Sequence, residues 1–145
     1  MTTDDGIVGI DLGARSSGNT AVCHRERGLF RFARSTKGGD GDAWLIDHVA
    51  QLAPKAIYID APLSLPAAYF GRGDDHFFRL ADHQTGGMSP MFLGGLTARA
   101  IRLAERWRAQ GIAVHEAGPQ GAGITPQSNA LVTCVSIRFT CQLPE

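Results

Sequence analysis

The chain has 145 residues, of which 43% are hydrophobic and 19% charged, and its 14 basic side chains balance 14 acidic ones. These values are typical of a globular protein of one domain and argue against a disordered or fibrous chain, or one that coats nucleic acid through its overall charge. No apolar run approaches the roughly 18–20 residues of a membrane helix. We expect a cytoplasmic protein without a membrane partner, because the start MTTDDGIVGIDLG carries acids where a secretion signal carries Lys or Arg.

The first predicted elements are a buried strand and a β-hairpin. Residues 7–10 form a short, continuously apolar run that ends in Asp11, which is typical of a central strand covered on both faces. Residues 20–24 and 29–34 flank a turn that contains Gly28. Two β-prone segments separated by a short turn with glycine predict a hairpin.

A helix and a second buried strand follow. Residues 37–42 form a glycine-rich loop ending in Asp42, which we expect to be the helix N-cap. Apolar residues at helical spacing indicate the helix itself: Leu45, Val49 and Leu52. Residues 56–59 are again apolar and end in Asp60. Because strand–helix–strand units normally form parallel crossovers, we expect the strands ending in Asp11 and Asp60 to be parallel neighbours.

The last predicted elements come after a long connection. Residues 62–95 contain no strong periodicity, and a connection of that length inside a domain is usually functional or mobile. A helix is predicted over residues 97–110, with Gly111 as its C-cap. Its apolar side carries Ala100, Leu103, Ala104 and Trp107. Residues 112–115 predict a further strand, which ends in Glu116.

Acidic residues at strand ends are the strongest chemical signal of the sequence. Ligands of open α/β sheets bind outside the carboxyl ends of the strands, where we expect Asp11 and Asp60. Two carboxylates on strands about 4.8 Å apart could ligate one Mg²⁺ or Mn²⁺, which would relieve their repulsion and activate water. Glu116 is the natural third acid. Alternatively, the aspartates serve only as turn residues and the glutamate is an exposed edge residue.

Basic residues are concentrated in two stretches. Residues 14–39 contain six basic residues against one acid, and residues 97–110 contain four arginines against one acid. Either stretch is a solvated face or a phosphate-binding surface for nucleic acid, to which Arg15 would contribute. Arg79 and Asp82 can form a local ion pair. The three cysteines contain no CxxC pair, so they indicate neither a disulfide framework nor a zinc site.

Five segments together resemble a widespread bacterial and archaeal family: GIDLGARSSGNTAV, IDAPLSLP, RLADHQTGG, MSPMFLGGL and VHEA. This is the domain-of-unknown-function family 429, described as predicted nucleases of the ribonuclease H fold. The resemblance covers residues 6–118. It implies an α/β, ribonuclease H-like mixed sheet of order 3-2-1-4-5 with flanking helices, in which the hairpin is antiparallel to the first strand.

The resemblance also implies a site. It places the family's acidic positions on Asp11, Asp60 and Glu116, which would be the catalytic and metal-binding residues. It places the family's Arg/Asp pair on Arg79 and Asp82, which we expect to contact substrate together with Arg15. The first hypothesis is therefore a metal-dependent nuclease or phosphodiesterase with Mg²⁺ or Mn²⁺ as cofactor.

Two other functions stay open. A nucleotide-binding, phosphotransferase-like domain is favoured if residues 13–20 cradle a phosphate, although the chain is short for the second lobe of such kinases. A non-catalytic module that binds nucleic acid or protein is the other. Metal binding separates the nuclease from the module, and nucleotide hydrolysis would identify the phosphotransferase.

The sequence changes character near Gly118. Residues 1–118 form the predicted domain, whereas residues 119–145 form an atypical tail with only two charged residues, Arg138 and Glu145. The family continues instead with further helices, and ribonuclease H-like enzymes commonly place a last metal-binding acid on such a helix. We therefore expect a truncated domain or a shifted reading frame, with weak activity or none, and little loss of stability on deletion from Ile124 onward.

Overall fold

The structure is a computed structural model, and it describes residues 1–117. The predicted tail of residues 119–145, with Cys134 and Cys141, lies outside the described residues. The strands are β1 (Ile7–Asp11), β2 (Ala21–Glu26), β3 (Leu29–Arg34), β4 (Ala56–Asp60) and β5 (Ala113–Glu116). The α-helices are α1 (Gly41–Leu52), α2 (Leu80–Thr85), α3 (Pro90–Leu93) and α4 (Gly95–Ala109), and a 3₁₀ helix spans Ala67–Phe70.

The five strands form one mixed sheet in the order β3-β2-β1-β4-β5, which confirms the predicted order. β4 is parallel to both β1 and β5, and β2 is antiparallel to both β1 and β3. The predicted hairpin is present, and Arg27 and Gly28 form its turn with φ of 51° and 75°. Two consecutive positive φ angles match the right-handed twist of the flanking strands.

Helices α1 and α4 pack on one face of the sheet. The predicted apolar stripes of both helices are buried there, against alternate strand residues such as Ile10, Ile57 and Ile59. A smaller cluster on the other face consists of strand residues only: Ile7, Ala21, Cys23 and Phe32. Since neighbouring side chains of a strand point to opposite faces, Asp11 and Asp60 lie on the face opposite α1 and α4.

Three predicted helix ends differ from the structure. The N-cap of α1 is Asp40, whose carboxylate accepts hydrogen bonds from the amides of Asp42 and Ala43 at 3.0 and 3.1 Å. Asp42 lies in the first turn, and its side chain is drawn into contact with α4. α4 begins at Gly95 rather than at residue 97, and its C-cap is Gln110 rather than Gly111.

The long connection between β4 and α4 contains α2, α3 and the 3₁₀ helix. α3 begins at a Ser-Pro pair, in which Ser89 accepts a hydrogen bond from the amide of Met91 and Pro90 takes the first helical position. Nowhere in residues 1–117 is there a helix of the length and apolarity needed to cross a membrane.

Candidate active site at the carboxyl ends of the parallel strands

Asp11 and Asp60 are the last residues of β1 and β4 and lie opposite each other in the parallel register. Neighbouring strands lie about 4.8 Å apart, so the two carboxyl groups share one face and one end of the sheet. Asp11 is half-buried and Asp60 is exposed. Within the described part of the chain, neither carboxylate accepts a hydrogen bond or forms an ion pair.

The electrostatics of this pair differ from those of ordinary surface carboxylates. Burial raises the pKa of Asp11, and the negative charge of Asp60 raises it further. Surrounding protein atoms desolvate the carboxyl group of Asp60 and raise its pKa, although the residue has an exposed surface, and the charge of Glu116 contributes second. Desolvation is thus the main cause of both shifts, and the smaller contribution from neighbouring negative charge is one that a bound metal ion would relieve.

Glu116 ends β5 but is positioned differently. Its register partner is Ile59, so its side chain starts on the helix-covered face of the sheet rather than beside Asp60. Its carboxylate accepts hydrogen bonds from Arg79 at 2.7 and 2.8 Å and from the Leu63 amide at 3.0 Å. Among the described residues no three acids, histidines or cysteines form a group that could hold a metal ion. A ligand role for Glu116 therefore stays a prediction.

Arg79 joins two carboxylates. Its guanidinium donates to Asp82 at 2.7 and 3.0 Å, to Glu116 and to the Ser64 hydroxyl at 3.0 Å, and its side chain is only 12% exposed. Burial would raise the pKa of Asp82, but the hydrogen bonds from Arg79 lower it below the usual value. The expected ion pair between Arg79 and Asp82 is present. Arg79 also binds Glu116 and thereby attaches the long connection to β5. All three nitrogen atoms of its guanidinium group donate hydrogen bonds. Substrate contact by Arg79 and Asp82 stays a prediction.

The loop after β1 is closed by its own hydrogen bonds. The amide of Gly13 donates to the Thr20 hydroxyl at 3.2 Å, and the amides of Ser17 and Asn19 donate within the loop at 3.1 Å each. A Cβ at Gly13 would lie 2.8 Å from the Asn19 carbonyl carbon, so this position requires glycine. Because these amides are engaged, the loop is poorly suited to cradle a phosphate.

Arg15, the third predicted substrate residue, leaves this loop toward α1. Its guanidinium forms a bidentate ion pair with Asp40, with distances of 3.2 and 2.7 Å, and its side chain is 58% exposed. Two-pronged contact with a carboxylate is also the geometry with which arginine binds phosphate. The structure thus places Arg15 at the surface, apart from the cluster around Arg79.

The sequence analysis did not identify a network of hydrogen bonds between α4, the start of α1 and the loop after β1. Arg99 on α4 binds Asp42 at 2.7 Å and the carbonyl of Gly13 at 3.0 Å, and Arg102 reaches Asp42 at 3.1 Å. Hydrogen bonds from Arg99 lower the pKa of Asp42 in spite of its burial. The network ties the loop after Asp11 to both helices. Because 57 residues separate Asp42 from Arg99, no local sequence pattern identifies the pair.

Comparison of the chain with protein-family models gives no match, and comparison with curated proteins gives none either. The geometry of the strand ends is therefore the basis for assigning a function.

Proposed function

We propose that this protein is a metal-dependent phosphodiesterase of the ribonuclease H-like type, acting on nucleic acid. The observation that carries the proposal is the in-register pair Asp11 and Asp60 at the carboxyl ends of two neighbouring parallel strands. This is the position at which open α/β sheets bind their ligands. The strand order, in which an antiparallel hairpin extends a parallel core, agrees with the sheet that the family resemblance implies.

The donor set fits a hard divalent cation. Oxygen ligands are those that Mg²⁺ and Mn²⁺ prefer. The pKa values of Asp11 and Asp60 are raised by desolvation and, to a lesser extent, by neighbouring negative charge, and a cation would favour the ionised forms of both. These two carboxylates would hold the ion, with Glu116 as the proposed third acid. When bound, such an ion supplies charge stabilisation for a phosphoryl oxygen and acidifies a coordinated water.

The surrounding residues have supporting roles in this proposal. Arg79 holds Glu116 and Asp82 and thereby fixes the start of the long connection beside the strand ends. Arg99 fixes the loop that follows Asp11 through the Gly13 carbonyl. In this arrangement the guanidinium groups of both arginines are occupied by protein oxygen atoms and hold the segments that follow β1 and β4.

The test is titration of the full chain with Mn²⁺ by calorimetry, together with hydrolysis of a fluorescent single-stranded oligonucleotide. We expect Asp11→Asn and Asp60→Asn to weaken Mn²⁺ binding by about tenfold or more, since each removes one anionic ligand. Asp47→Asn is the matched control, because Asp47 is an exposed aspartate on the outside of α1. Unchanged Mn²⁺ affinity in both variants would refute the site.

A binding module without catalysis is the second candidate. It is favoured by the lack of a third metal ligand beside Asp11 and Asp60 within residues 1–117. Mn²⁺ binding and nucleic-acid binding without any hydrolysis by the wild type would support this candidate over the phosphodiesterase. The nucleotide-dependent phosphotransferase has less support, because three amides of the loop after β1, those of Gly13, Ser17 and Asn19, already donate to acceptors of the loop itself.

A further inference from the structure

A basic cavity lies between the loop after β1, α1 and α4. It has a volume of about 310 Å³, and Arg15, Arg102 and Arg106 line it together with Asp40 and Asp42. The amides at the start of α1 do not contribute donors to it, because Asp40 already accepts the hydrogen bonds of Asp42 and Ala43. Any ligand would be held by the arginine side chains.

The charges of this cavity do not cancel. Asp40 is paired with Arg15, and Asp42 is paired with Arg99 from beneath the cavity. The shared contact of Arg102 with Asp42 leaves its side chain 65% exposed. Arg106 is exposed and has no ion-pair partner among the described residues. Three arginines therefore line the cavity with two aspartates, and Asp42 is also neutralised by Arg99 from outside the lining. The excess positive charge favours an anion.

A second cavity shares one lining residue, Arg102, with the first and differs from it in chemistry. It has a volume of about 440 Å³ and lies between α3, α4 and the start of the long connection. Its lining is mainly apolar and includes Leu65, Pro90, Met91 and Ile101, with Glu105 at its margin. Arg102 lines both cavities, so an anionic group in the first and an apolar group in the second could both contact this one side chain.

We propose that the two cavities bind one nucleotide unit of a single-stranded nucleic acid, its phosphate beside Arg102 and Arg106 and its base in the apolar cavity. A flat aromatic base attached to a phosphodiester matches an apolar cavity next to a basic one. Single-stranded recognition commonly combines such a base site with a basic backbone track. A base enters a cavity only when it is unpaired, and this selects single strands over duplexes.

The position of the cavities relative to the acids supports the same ligand. Arg15 follows Asp11 by four residues, and Leu65 follows Asp60 by five. Since an extended residue spans at most about 3.6 Å, each cavity has a border within about 18 Å of an acid. One strand can therefore occupy the cavities and continue to Asp11 and Asp60. This inference rests on the proposed function, for which it names the substrate class.

The experiment measures binding of the full chain to a labelled oligothymidylate by fluorescence anisotropy in EDTA. Hydrolysis is then absent, so binding reports the cavities and not the metal site. We expect Arg106→Glu to weaken binding by about tenfold and to reduce the salt dependence. Lys55→Glu is the matched control, because Lys55 is exposed and precedes β4 at the opposite end of the sheet. We expect it to bind within about twofold of wild type.

Two further variants distinguish the contribution of the base to binding from that of the phosphate. Ala98→Phe fills the apolar cavity from an exposed position, and we expect it to weaken oligothymidylate binding about tenfold but not binding of an abasic strand with the same phosphates. Circular dichroism verifies that both cavity variants are folded. Arg106→Ala, which cannot introduce repulsion, must also weaken binding.

Three results would overturn the proposal: no binding to any single strand in EDTA, equal binding by the wild type and both Arg106 variants, or preference for a duplex of the same length. None of these depends on hydrolysis. Failure of the phosphodiesterase proposal would instead appear as intact oligonucleotide after incubation with Mn²⁺, with binding in EDTA retained.

Discussion

The acids near the strand ends have contrasting electrostatic surroundings. Asp11 and Asp60 have raised pKa values because burial and neighbouring negative charge disfavour ionisation. Asp82 is more buried than either, yet its pKa is lowered because Arg79 donates hydrogen bonds to it. Local hydrogen-bond donors therefore distinguish carboxylates that stabilise the fold from carboxylates that are available to a ligand.

The raised pKa of Asp60 predicts a stabilising substitution. Its folded-state pKa exceeds the unfolded value, so its ionised form costs stability at neutral pH, and this cost disappears as the pH falls below about 4. We expect Asp60→Asn to melt at a higher temperature than wild type at pH 7 in EDTA, with no such gain near pH 4. Scanning calorimetry measures both. If Asp60→Asn melted at a lower temperature than wild type at pH 7, the ionised carboxylate of Asp60 would stabilise the fold, and the prediction would be wrong.

At the scale of elements, the sequence predicts most of the sheet and both long helices. β1 and β4 follow from apolar runs ending in aspartate, and the stripes of α1 and α4 from helical spacing. The start of α1 was predicted at Asp42 and is wrong, because Asp40, two residues earlier in the same glycine-rich loop, is an equally good capping residue. Contact with Arg99, far away in sequence, holds the side chain of Asp42.

The site was predictable to the same extent as the sheet. The parallel pairing of β1 and β4 follows from local patterns, and with it the proximity of Asp11 and Asp60. The engagement of Glu116 by Arg79 depends on how a connection of more than thirty residues folds back, for which the sequence has no periodic signal. The Ser-Pro start of α3 was a usable signal within that connection.

The two aspartates at the start of α1 should differ in their contribution to stability. Asp42 is 3% exposed and pairs with Arg99 and Arg102, so Asp42→Ala leaves a largely buried guanidinium without its partner. We expect it to lower the free energy of unfolding by about 3 kcal/mol. Asp40→Ala removes an exposed cap and should cost clearly less. Urea denaturation compares the variants, and a larger loss for Asp40→Ala would contradict the assigned roles.

At the scale of the molecule, the two faces of the sheet differ in what they carry. The face covered by α1 and α4 holds the main core, and the opposite face carries Asp11 and Asp60. The basic and apolar cavities flank the helices, and the loop after Asp11 borders the first of them. A chain with no net charge thus has an acidic pair at the strand ends and a basic cavity bordered by the loop that follows Asp11, and this is the distribution that the proposed function requires.

Two histidines lie on the side of the sheet that α1 and α4 cover, His24 on β2 and His48 on α1. His24 is 4% exposed and pairs with Val8 in the sheet register, and His48 lies on α1, stacked on Trp44. Within the described residues, Nδ1 of His24 and Nε2 of His48 have no hydrogen-bond partner. Burial lowers the pKa of both histidines, and the charge of His24 lowers that of His48 further.

These histidines predict a loss of stability in mild acid. Their pKa values are lower in the folded than in the unfolded protein, so the unfolded chain takes up protons first as the pH falls below about 6.5. Stability is complete above that pH and decreases toward pH 5, by at most about 1.4 kcal/mol per pH unit for each histidine. His24→Gln should reduce this slope in urea denaturation, whatever its effect at pH 7. His76→Gln, at an exposed position, should leave the slope unchanged, and an unaltered slope in His24→Gln would show that other groups cause the acid sensitivity.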